Sequence, residues 1–67
     1  MLGHFKHEGI GLRWSMDSDG ADWVVKTYVG AYQVAERCPT RPNLTRAVDI
    51  AKGLAPVLLD MVRGDAA

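Results

Sequence analysis

His4 and His7 stand three residues apart, a spacing that lets two imidazoles share a metal ion when both project from one helix. No third ligand follows nearby and the surrounding segment lacks helical patterning, so both histidines are expected to be solvated. The run Asp17-Ser18-Asp19-Gly20-Ala21-Asp22 has the carboxylate density of a calcium loop. In an EF-hand beginning at Asp17, however, the glycine is misplaced and the twelfth position is Tyr28 rather than glutamate. It reads as a capped turn. Gly9-Ile10-Gly11 precedes a strand pattern, not a helix, and so is no phosphate loop. Cys38 is the only cysteine, which rules out an intrachain disulfide and suits a small buried hydrophobe in a reducing compartment. No Ser/His/Asp or Cys/His set emerges, and so short a chain has little room for a pocket of about 300 Å³ or more. Catalysis, a metal and a cofactor are therefore not expected.

What remains are side chains suited to contact. Arg37, Arg41 and Arg46 cluster around the start of the last apolar segment, with only Glu36 opposing them nearby. The charge is thus locally segregated although eight basic and eight acidic residues sum to zero. Trp14 and Trp23 could form a binding platform, but in a chain this small large aromatics are expected in the core.

The elements that must position these groups form one domain over residues 1–67. At 48% the hydrophobic fraction is too high for disorder, and no apolar run approaches the ~20 residues of a membrane span. A cytoplasmic protein with no membrane partner is expected. In the strand predicted over 9–16, Ile10, Leu12, Trp14 and Met16 alternate with Gly11, Arg13 and Ser15, the period of a strand with one buried face. Residues 1–8 form an arm ahead of it. Over 20–37 the spacing predicts a helix, with Val24, Val25, Tyr28, Ala31, Tyr32 and Ala35 on one face and Ser18 or Asp19 as cap. A second helix is predicted over 43–63, with Asn43 as N-cap and Pro56 on its wet side. The fold class expected is mainly α with a short N-terminal strand, in the order β-α-α.

The last helix has an apolar arc of about 240°, where a surface helix needs only about 100°. One more helix and one short strand cannot cover it, so a homodimer is expected, with Leu12, Trp14, Ile50, Leu54, Leu58 and Met61 in its core. A domain of this size buries only about 60% of its unfolded surface, which also favours assembly. Either Leu2–Lys6 folds back on the strand through Glu8-Gly9, or the strand of a second subunit pairs with it.

One strand followed by two amphipathic helices resembles the ribbon-helix-helix family of Arc- and MetJ-type repressors. Ile10-Gly11-Leu12-Arg13-Trp14 is similar to the Arc strand, which holds the same Leu-Arg-Trp run, and Val34-Ala35-Glu36 is similar to its first helix. The resemblance implies an intertwined dimer whose paired strands enter the major groove of double-stranded DNA. Arg13 and Ser15 would then contact bases. The N-terminus of the second helix, at Asn43 and Thr45 with Arg37, Arg41 and Arg46 around it, would hold a phosphate. The other reading is a helical hairpin with a small β-hairpin, serving as a dimeric adaptor or inhibitor that binds a protein target.

Overall fold

The computed structural model describes residues 1–66, which form four antiparallel strands and one helix. The strands are β1 (Leu2–His7), β2 (Ile10–Asp19), β3 (Asp22–Val29) and β4 (Tyr32–Cys38), and the helix is α1 (Leu44–Ala66). The sheet is a simple meander in the order β1-β2-β3-β4, so β1 and β4 are its edges.

Three two-residue turns set this topology. Glu8 and Gly9 both take positive φ, 53° and 78°, as a type I′ hairpin turn requires. Gly20 and Gly30 take φ of 64° and 57° and are each followed by an alanine. That is the glycine-first pattern of a type II′ turn. These primed turns match the right-handed twist of the strands they join, and they fix the register. His7 pairs with Ile10, Asp19 with Asp22, and Val29 with Tyr32.

Alternation then sorts the side chains. Phe5, Leu12, Trp14, Met16, Trp23, Val25, Thr27, Val29 and Val34 share the face toward α1. The helix lies mainly over β3 and β4. Ala47, Ala51 and Ala55, one helical turn apart, are fully buried and bring the helix backbone close to the sheet. That approach lets the buried Thr27 hydroxyl donate to the Ala51 carbonyl at 2.7 Å. Leu58 and Leu59 continue the contact over Leu12, Val29 and Tyr32. The two layers make a slab of 37 × 21 × 16 Å.

The expectation for residues 20–37 is overturned: they form the β3–β4 hairpin, not a helix. Trp23-Val24-Val25-Lys26-Thr27-Tyr28-Val29 is dense in β-branched and aromatic residues, which lose rotamer freedom in a helix and pack well on a pleated surface. The residues that blurred its alternation have structural reasons. Thr27 points inward but has a hydrogen-bond partner, and Val24 points outward but is largely covered. The protein is therefore not mainly α. Neither the β-α-α order, nor the ribbon-helix-helix dimer, nor the helical hairpin is formed, because only one helix exists among the described residues.

Residues 1–8 are not an arm either. Leu2–His7 folds back on β2 through Glu8-Gly9, one of the two pairings open from sequence. The β2 strand runs on to Asp19, beyond the expected end at residue 16. At the last element sequence and structure agree. Asn43 Oδ1 accepts from the Arg46 amide at 2.8 Å, an N-cap bond, and Pro56 sits on the exposed side of α1.

Candidate functional site

The fold separates the residues expected to act together. Arg37 lies on the sheet face away from α1, where it bonds Asp19 and Asp22. Those carboxylates, Asp19 first, raise its pKa above the usual arginine value. The Arg41 guanidinium lies over the Trp23 ring, 5.0 Å from its centroid. Arg46 stays at the start of α1 with Asn43, Thr45, Asp49 and Ile50, around an open depression of about 430 Å³. Since the Asn43 side chain already takes one of the free amides there, the cradle for a phosphate is partly filled. His4 and His7 fall on opposite faces of β1 and so cannot share a metal. Among the described residues no three His, Cys, Asp or Glu side chains converge on a metal site, and no helix is long and apolar enough to cross a membrane.

Two surfaces are left uncovered. The first is a flank of α1. Only about 120° of its apolar arc, from Ala47 round to Leu59, goes down onto the sheet. Ile50, Leu54, Val57 and Met61 lie beside that buried sector; Val57 is 54% exposed and Met61 43%. Their 4-3-4 spacing is that of a coiled-coil seam. Of the residues expected in a dimer core, Leu12, Trp14 and Leu58 are buried inside the protomer, whereas Ile50, Leu54 and Met61 belong to this seam.

The seam faces the β4 edge: Asp65, on the seam side of α1, bonds Tyr32 of β4, whereas Arg63, on the other side, reaches the β1–β2 turn. Strands lie about 4.8 Å apart and helices pack 8–10 Å apart, so four strands have room for two helices side by side. The chain supplies one, over β3 and β4. On the β1 side, Phe5 and His7 are half-buried and Ile10, on the same face, is 40% exposed. The corner is tied at one end, where Arg63 near the end of α1 bonds Glu8 of the β1–β2 turn at 3.2 Å.

The second surface is the sheet face opposite α1. His4 and Lys6 of β1, Gly11, Arg13 and Ser15 of β2, Lys26 and Tyr28 of β3, and Gln33 of β4 share it. Arg13 is exposed there, flanked by His4 and Tyr28, while Ser15 is buried between its neighbours Leu2 and Lys26. Gly11, Arg13, Tyr28, Val29 and Gly30 line an open cleft of about 320 Å³. A larger depression of about 600 Å³ at the other end is rimmed by Asp17, Asp19, Lys26 and Arg37, with Val24 and Ala35 also lining it. Sequence reasoning named Arg13 and, of the seam, Ile50, Leu54 and Met61, but not Val57. It missed Lys6, Lys26 and Tyr28, because placing them beside Arg13 required the hairpins. The glycines at 9, 20 and 30, set at strand-length intervals, were the signal that could have placed them.

No protein-family model, no curated protein and no solved structure matches the chain. Its function must therefore be read from these two surfaces.

Proposed function

We propose that this protein is a non-enzymatic interaction module that works as a homodimer, joined along the uncovered flank of α1. The observation that carries this reading is the exposed apolar seam of Ile50, Leu54, Val57 and Met61 along one flank of α1. The occupant is a second copy. In an antiparallel pairing about a twofold axis between residues 55 and 56, Ile50 meets Met61 and Leu54 meets Val57. Every seam position thus finds an apolar partner, and the patch is complementary to itself as a twofold interface requires. The two sheet faces opposite the helices would remain open to other partners.

Val57→Glu tests the reading, because it places a charge in the seam at a position that is already half exposed. Sedimentation velocity should show the native chain as two-chain particles and the variant as single chains, with unchanged far-ultraviolet circular dichroism. A variant that stays dimeric would show that the chains join elsewhere and would remove the proposal.

A further inference from the structure

We infer that the open sheet face is a binding site for single-stranded nucleic acid, built on Lys6, Arg13, Lys26 and Tyr28. The register sets the three cations on a diagonal across β1, β2 and β3. Arg13 stands one strand over and one row along from Lys6, and Lys26 repeats that step from Arg13. Diagonal neighbours of this kind lie about 7–8 Å apart. None of the ion pairs among the described residues includes Lys6, Arg13 or Lys26; of the acids on the same face, Asp19 and Asp22 are engaged by Arg37, and Asp17 stands one strand over and one row along from Lys26. The face is thus cationic at the end of Lys6 and Arg13 and acidic at the other, where Asp17, Asp19 and Asp22 outnumber Arg37, although the chain's net charge is zero.

Two further features favour a strand of nucleotides over a small anion. Tyr28 stands directly beside Arg13 and presents a ring on which a base can stack. Gly11, inside β2, and Gly30, in the β3–β4 turn, line the adjoining cleft, and a Cβ added at Gly11 would meet nothing within 4 Å. A glycine inside a strand with open space above it allows a planar group to approach the backbone closely. Backbone phosphates would follow the cation diagonal while one base enters the cleft. A duplex fits less well. The major groove is about 12 Å wide and admits a two-stranded ribbon, whereas four strands span about 14 Å between their outer axes.

Fluorescence anisotropy with labelled 12-nucleotide DNA and RNA single strands, against a 20-base-pair duplex and heparin, tests the site. Single strands should bind, and log affinity should fall against log salt with a slope near −2, as about three phosphate contacts imply. Arg13→Ala and Lys26→Ala should each flatten that slope and weaken binding. Tyr28→Ala should weaken single-strand binding by about fivefold or more without changing the slope. Lys52→Ala, on the exposed side of α1, is the charge-matched control and should change nothing. The DNA and RNA arms identify which sugar is preferred, and either preference supports the site. No binding at 50 mM salt, equal loss in the Lys52 variant, duplex or heparin bound as tightly as single strands, or indifference to Tyr28→Ala would each overturn it. The assay does not depend on the dimer, since the sheet face and the seam lie on opposite sides of the slab and Val57→Glu should leave binding to one chain intact.

Discussion

Gly3 is a position where a single methyl group has nowhere to go. A Cβ there would lie on the indole of Trp14, 2.8 Å from its Cε2, and the indole is itself buried. Gly3→Ala should therefore cost about 1–3 kcal/mol, the usual range for overpacking, and shift Trp14 fluorescence toward a more exposed indole. Urea unfolding gives the cost, and an unchanged midpoint would mean that the indole moves freely. Tyr32 makes a different prediction. Its phenol donates to the Asp65 carboxylate, and this bond, with some desolvation, raises its pKa above 10.0. A pKa raised on folding means that the protonated form is favoured in the native state. The contribution is then complete below pH 10 and lost as pH rises through the raised value. The difference in urea midpoint between the native protein and Tyr32→Phe should be constant from pH 7 to about 9 and shrink above 10. A difference that is flat throughout would separate Tyr32 from Asp65.

Helix α1 contains its own weak point. Pro56 stands in its middle on the exposed side, where it contributes no amide and leaves the Lys52 carbonyl without its usual donor. Pro56→Ala should raise stability by about 1–3 kcal/mol, given a propensity difference near 3 kcal/mol between the two residues. A lower melting temperature would mean that the proline shapes the helix for packing. This helix was the most legible element in the sequence, because its cap, its apolar arc and its wet-side proline are all local signals. Strand β2 was nearly as clear, since Leu12, Trp14 and Met16 alternate with Arg13 and Ser15. The β3–β4 hairpin was not, because a central strand carries apolar residues on both faces. Val24, Val25 and Tyr28 fit a helical wheel as well as they fit a sheet. Residues in a buried strand cannot be told from a helix by period alone, and the glycine turns were the deciding signal.

The candidate surfaces were legible to different degrees for the same reason. The excess apolar girth of α1 was visible from the sequence, and the structure locates which part is left uncovered. The cationic diagonal was not visible, because Lys6, Arg13 and Lys26 are distant in sequence and adjacent only through two hairpins. The arginine cluster proposed from sequence dissolved because nearness along the chain placed Arg37 and Arg46 on different layers. The isolated chain leaves the seam residues Val57 and Met61 exposed to water along one flank of α1. The most direct measurement is sedimentation equilibrium of the native chain from about 1 to 100 µM. A dimer joined along α1 sediments as a particle of twice the 7.3 kDa chain mass, with dissociation and a falling melting temperature on dilution. A stably folded single-chain particle across that whole range, with a melting temperature independent of concentration, would contradict it.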